Sequence, residues 1–291
     1  MKFNKIRPQD NKFTEVLSNI ALMPELLYFM GKLPEKRIPT VAIVGSRRNT
    51  RYGEEIAYKL AYEVARRGGI VVSGLAYGID SIAHKGAVDA NGITIGVLGT
   101  EIDNIYPKSH INLANKMLEK NGAIISEWKK GDKFFPGKNS FLLRNRIISG
   151  LSDIIVVVEA AIKSGSLNTA MHALDQNKQL FAVPGNITNP YSQGCNKLIK
   201  QGAEPYTEPA DILDILFPEA KNRKKSKNQL VIFGDNDIET KILKSIYEGL
   251  SDGGEIIEKT NISPNDFNQS ITMLEIKDRV RSLGANKWCL K

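Results

Sequence analysis

Six short aliphatic runs punctuate the chain, at residues 41–44, 70–72, 94–98, 123–126, 154–158 and 180–183. They are rich in Ile and Val, and most lack polar alternation. Strands of that kind are buried on both faces, as in a parallel sheet. Helical patterns lie between them, at 52–67, 110–120, 165–176 and 195–201. Strand–helix–strand repetition predicts an α/β fold with a doubly wound, mostly parallel sheet. Consecutive strands of such a sheet end on one edge, and ligands bind there.

That edge is rich in glycine. The first run leads into Gly45-Ser46-Arg47, and the second into Ser73-Gly74-Leu75-Ala76-Tyr77-Gly78. The third leads into Gly99-Thr100, and the fifth is followed by Ser164-Gly165-Ser166-Leu167-Asn168-Thr169. Glycine lets a backbone approach a ligand, and N–H groups at a helix start favour an anion. Chain reversal alone explains any one of these turns. Four on one rim predict an anion site. The first turn, GSRRNTRYG, lacks both G-x-G-x-x-G and the G-K-[ST] ending of a P-loop, which disfavours dinucleotide binding and ATP hydrolysis. It carries Arg47 instead, with Arg48 and Arg51 nearby, and guanidinium forks match phosphate oxygens.

Residues 136–153 hold a second basic group: Lys138, Phe141, Arg144 and Arg146. Cations interleaved with an aromatic suit a single-stranded nucleic acid, charge for the backbone and a ring face for a base. Core burial is the competing reading of Phe141. With a helix starting near Asn145, Arg144 lies over the face of Ile147, Ile148 and Leu151 and is partly structural, while Arg146 points elsewhere. Asp80 is read as a helix cap rather than as an orienter of a site arginine. Glu127 and Glu159 are read as partners of Arg144 or Arg146. His84, His110 and His172 show no metal-ligand spacing, so neither metal nor cofactor is expected.

The net charge is +8, and residues 218–236 alone carry five basic and two acidic residues. Overall basicity is therefore weak evidence for a polyanion partner. The stretch KNRKKSKNQ (221–229) reads as a solvated linker, with a nucleic-acid-contacting arm as the sharper alternative. After it, 239–248 and 254–260 are helical patterns. Ser263-Pro264-Asn265-Asp266 has the form of a helix start, followed by Phe267, Ile271 and Leu274 at i, i+4 and i+7. Residues 279–283 and 287–290 flank Gly284-Ala285-Asn286, a hairpin signal. Three helices and a hairpin outline a small C-terminal winged-helix domain. The expected organisation is a short N-terminal extension (1–36), a Rossmann-like domain (37–217), a basic linker (218–236) and a winged-helix-like domain (237–291).

No apolar run reaches the roughly 18 residues that cross a membrane, and the first thirteen residues contain no apolar h-region. Cys195 and Cys289 are too few for a disulfide framework. A cytoplasmic location is expected.

Several ordered blocks now acquire a joint meaning. VAIVGSRRNTRYG, VVSGLAYGIDSIAHKGA, GVLGTEIDNIYPKS, FLLRNRIISGLSD, SGSLNTA and VPGNITNPYSQGCNKLIKQGA cover about residues 40–205. In order and spacing they resemble the DNA-processing protein A (DprA/Smf) family. The resemblance implies an extended Rossmann-like fold that binds and protects single-stranded DNA. It implies a non-catalytic mediator that helps load RecA recombinase during natural transformation and recombination. Carried over by motif, the DNA site comprises Ser46, Arg47, Gly74, Lys108, Lys138, Phe141, Arg144, Asn145, Arg146 and Ser166. A homodimer interface maps more loosely to the helix with Asn196, Leu198 and Ile199. Longer members carry an N-terminal helical domain; with about 36 residues before the first strand here, that domain is expected to be absent or vestigial.

One enzymatic alternative shares the fold: nucleotide phosphoribohydrolases of the lysine-decarboxylase-like family. They need a Glu after a PGGxGT-like turn, where this chain has GSLNTAMHAL (165–174), with Ala170 and Met171 at the expected acid.

Overall fold

The computed structural model describes residues 2–132, 137–218, 234–277 and 279–290. The chain forms two compact units, Met1–Pro218 and Glu219–Lys291. Among the described residues, no helix is long and apolar enough to cross a membrane.

The first unit is built on a nine-stranded sheet. Its strands are β1 (Asn4–Ile6), β2 (Leu27–Gly31), β3 (Thr40–Val44), β4 (Ile70–Ser73), β5 (Thr94–Val97), β6 (Ala123–Ser126), β7 (Ile154–Val157), β8 (Gln179–Ala182) and β9 (Glu204–Pro205). Their spatial order is β1-β2-β6-β5-β4-β3-β7-β8-β9. From β6 to β9 all pairings are parallel; β2 joins β6 antiparallel, and β1 joins β2 antiparallel. Residues 1–36, expected as an extension, thus supply two strands of the sheet. Phe13, Leu17 and Leu27 are fully buried in its core. β1 offers only three residues and β2 five to sequence periodicity, too few at the sheet margin to leave a pattern.

The helices are α1 (Arg51–Arg66), α2 (Ile79–Asp89), α3 (Ile111–Glu119), α4 (Lys138–Leu151), α5 (Ser166–Asp175), α6 (Gln193–Lys200) and α7 (Ala210–Leu216). Alternate residues of each strand feed opposite faces, as the pleat requires. Ala42, Val44, Ile155 and Val157 pack with Ile147, Leu151, Ala170 and Ala173 of α4 and α5. Val41, Ile43, Ile154 and Val156 pack with Leu60, Val64, Ile79 and Ile212 of α1, α2 and α7. The chain runs from β3 outward to β6, then crosses back to β7 beside β3. That reversal opens a crevice beyond the carboxyl ends of β3 and β7.

The second unit contains α8 (Asp237–Tyr247), α9 (Gly253–Thr260) and α10 (Pro264–Ile276), then the antiparallel pair β10 (Val280–Gly284) and β11 (Lys287–Leu290). Ser263 caps α10 by accepting from the Asp266 N–H, with Pro264 at the first position. Ala285 and Asn286 both have positive φ, as a tight two-residue hairpin turn demands. Ile242, Ile256, Phe267, Ile271 and Leu274 form its core. The basic stretch 221–229 lies outside the described residues.

One buried polar group in the first unit is titratable near neutrality. His84 Nδ1 donates to Thr94 Oγ1 at 2.7 Å, and that hydroxyl donates to the Val71 carbonyl at 2.8 Å. Burial, with the Arg144 and His110 charges nearby, pushes its pKa down to about 3. Between pH 6.5 and 3 the unfolded chain therefore holds a proton that the native state refuses. Stability contributed by neutral His84 is complete above pH 6.5 and is lost as pH falls. Urea unfolding should show about 1.4 kcal/mol less stability at pH 5.5 than at pH 7.5 from this group. His172, also shifted down by burial, adds in the same direction. Equal stabilities at the two pH values would contradict a neutral, buried His84.

Candidate functional site

The Gly45-Ser46-Arg47 turn leaves β3 at the crevice. It is fixed from two sides. Ile79 N–H donates to the Ser46 carbonyl at 3.2 Å, so the start of α2 is tied to the turn. Gly78, with φ +76°, makes this possible, because a Cβ there would sit 2.3 Å from the Ser46 oxygen. On the other side Glu159, after β7, accepts from the Thr50 N–H at 2.8 Å and from its hydroxyl at 2.6 Å. Thr50 in turn caps α1. Glu159 is thus a clamp on the turn and pairs with neither Arg144 nor Arg146.

The helix bearing the second basic group begins at Lys138, seven residues earlier than the sequence reading placed it. Arg144 consequently lies inside α4 and enters the strand ends fully buried. Its Nη1 donates to the Gly74 carbonyl at 2.8 Å and to the Val97 carbonyl. Its Nε donates to Asn145 Oδ1 at 3.2 Å. Asp80 accepts from the Gly74 N–H at 3.1 Å and offsets the buried cation. Asp80 therefore orients the turn and the arginine, rather than capping α2. Burial pulls Arg144 down to about 10, with Asp80 opposing, which leaves it charged at neutral pH. Burial pushes the Asp80 carboxyl up, while Arg144 and the turn N–H groups pull it back. A Cβ on Gly74 would lie 2.6 Å from both partners, so only glycine fits between them.

Around this support opens a cleft of about 720 Å³, lined by Ser46, Arg47, Phe141, Arg144, Asn145 and Ser166 among others. Arg48 and Lys163 add exposed cations, and Asp80 is the carboxylate among its described lining residues. The Arg47 guanidinium lies 5.5 Å from the centroid of the half-buried Phe141 ring. Asn145 donates to Asn168 Oδ1 at 3.1 Å and to the Gly165 carbonyl at 3.3 Å, which joins α4 to the turn before α5. Ser166 shares a hydrogen bond with Ser164 at 2.8 Å. Beside the cleft, Arg47, Gly74, Tyr77, Tyr106, Pro107 and Phe141 line a smaller recess. Lys108 is exposed directly after Pro107. Lys138 opens α4, but its side chain lies outside the described residues.

Tyr77, Tyr106 and Lys163 were missed by sequence reasoning. Each stands inside or next to a motif already singled out, yet single aromatics and lysines carry no periodicity. Among the described residues, no group of three His, Cys, Asp or Glu is placed to hold a metal ion.

One expected site residue, Arg146, is not brought to the rim. Arg146 forms a bidentate pair with Glu127 at 2.6 and 2.7 Å, and its Nε donates to the Leu22 carbonyl. It ties the N-terminal segment to α4 and faces away from the cleft. In α6, Asn196 exchanges hydrogen bonds with the Gly185 backbone. Leu198 is buried in the core, and Ile199 packs against it. Of the three residues expected at a dimer interface, Leu198 is buried within the protomer, while Asn196 and Ile199 are partly exposed. The exposed positions of α6 are Gln193, Lys197 and Lys200.

Stability separates these roles. Glu127→Ala leaves Arg146 buried without its partner and should cost roughly 3–5 kcal/mol. Arg47→Ala, at an exposed position, should stay within about 0.5 kcal/mol of the parent. Denaturant midpoints of both variants check this; similar losses would mean that Arg47 is also structural.

Comparison with known proteins places this geometry. The family model described as DNA recombination-mediator protein A matches residues 4–217. The chain is 46% identical to Protein Smf of Escherichia coli over 193 residues, 66% of this chain and 51% of that protein. It thus spans about half the length of that relative. It is 44% identical to the DNA processing protein DprA of Bacillus subtilis, over 73% of this chain and 71% of the relative. The crystal structure of DprA from Streptococcus pneumoniae superposes with a TM-score of 0.67 at 37% identity, covering 73% of this chain and 74% of that one. DNA processing protein A from Helicobacter pylori, whose structure describes its single-stranded DNA binding mode, gives 0.65 at 31% identity, over 75% and 97%. A glycine-turned crevice at the strand switch point, matched over the whole first unit, makes the chain a member of the DNA recombination-mediator protein A family.

Proposed function

We propose that the cleft binds single-stranded DNA and that the protein acts as a non-catalytic recombination mediator. The observation that carries this reading is the Arg47 guanidinium over the Phe141 ring, at the rim of a cleft whose described lining residues hold more cations than carboxylates. A stacked base and a neutralised phosphate need that pair of groups. The likeness to the Helicobacter protein supports the same ligand. Asp80, the carboxylate among the described lining residues, is committed to the Gly74 N–H rather than presented for acid–base work. At the position where a phosphoribohydrolase would carry its Glu, Ala170 is fully buried and Met171 is exposed.

Protection of the strand, loading of RecA, participation in natural transformation and homodimerisation belong to the same reading by family membership. So does a cytoplasmic location. The three helices and hairpin of the second unit fit a winged helix. Residues 237–291 carry a net charge of −1, which favours protein contacts over a phosphate-binding surface.

Fluorescence anisotropy with labelled oligo-dT and a matching duplex, across a salt series, tests the site. Oligo-dT should bind more tightly than duplex. Phe141→Ala should weaken it by about 1–3 kcal/mol. Arg47→Ala and Lys138→Ala should each weaken binding and lower the salt slope by about 0.7. Binding indifferent to all three changes would remove the cleft as the DNA site.

A further inference from the structure

A second cavity of about 270 Å³ lies between α2 and α3. Lys85 and Lys116 project from the two helices into its lining, beside Ser81, Asn112 and His110. Both lysines are exposed, and neither has a hydrogen-bond or ion-pair partner among the described residues. Asp89 is the acid in the lining, and its carboxylate accepts from the Tyr58 hydroxyl at 3.0 Å. The groove therefore presents two ammonium groups against one carboxylate, over an apolar floor that includes Val88 and Leu113.

This groove connects to the cleft through a line of aromatic rings. Phe141 lines both the cleft and the smaller recess. Its ring centroid lies 5.8 Å from that of Tyr106, which shares the recess with Tyr77. Tyr77 meets His110 edge-on at 5.0 Å, and its hydroxyl accepts from Ser109 Oγ at 3.2 Å. His110 then lines the groove, held there by Nδ1 donating to the Leu75 carbonyl at 2.9 Å. Tyr77 and Tyr106 are each about half exposed, at 48% and 49%. Rings that are half exposed offer a face to a base, and cations beyond them await a phosphate.

We propose that a single-stranded nucleic acid leaving the cleft runs over Tyr106 and Tyr77 and sets its next phosphates in the α2–α3 groove, on Lys85 and Lys116. The proposal rests on the cleft being a single-strand site and extends that site to a second one. It makes binding depend on oligonucleotide length. A strand of about six nucleotides fills the cleft alone, and one of about twenty reaches the groove.

The test is anisotropy with oligo-dT of both lengths on the double variant Lys85→Ala/Lys116→Ala, with Arg47→Ala in parallel. In the double variant the long oligonucleotide should lose about tenfold in affinity and its salt slope should fall by about 1.4, while the short one binds as before. Unchanged binding of the long strand would overturn the proposal. Equal weakening at both lengths would also overturn it, because the lysines would then act through overall charge. Arg47→Ala should weaken both lengths. If it weakens neither, the cleft reading fails, whatever the double variant shows.

Discussion

Burying a guanidinium costs several kcal/mol unless its N–H groups find acceptors and its charge finds compensation. Arg144 meets both conditions at the carboxyl edge of the sheet. It donates to the carbonyls of Gly74 and Val97, beyond β4 and at the end of β5, and Asp80 compensates its charge. Asp80 is itself bound to the Gly74 N–H. One cation thus joins α4, two strand ends and the first turn of α2. Phe141 lies one helical turn before Arg144, so anchoring Arg144 also anchors the ring that faces Arg47. Removing either Arg144 or Asp80 would leave the other as a buried group without its charge partner.

Three arginines show how environment assigns roles to one residue type. Arg144 is buried among carbonyls and supports the turn. Arg146, two residues on and on another face of α4, is spent on Glu127 and the N-terminal segment. Arg47 is exposed, and the aromatic ring beside it is the contact that holds it near the cleft. Of the three, Arg47 is the exposed one, with its guanidinium open to a ligand. The same contrast sets Lys85 and Lys116 apart from Lys120, which reaches Asn91, and from Lys277, which is held by Asp235 and Glu239.

The aliphatic strands and glycine turns could be read directly, because burial on both faces and tight reversals each leave a local composition. The six predicted runs correspond to β3 through β8, and the capped helix start at Ser263 is present. The start of α4 was placed too late, since Phe141 and Leu142 mark no helix face until the sheet edge they cover is known. β1 and β2 were missed because short marginal strands carry little pattern. β2 takes its place by pairing with β6, a partner about 95 residues away in sequence, and β1 by pairing with β2.

What the sequence determined by itself was the parallel α/β architecture, its glycine-rich edge, and the basic and aromatic residue types gathered there. Those follow from local periodicity and from residue types next to strand ends. The tertiary structure alone decided which cations are free. Arg144, Arg146 and Arg47 are equivalent as letters, and burial, carbonyl acceptors and acidic partners from distant segments separate them. It also decided that Leu198 points inward, because the direction of a helix face is set by what the helix packs against.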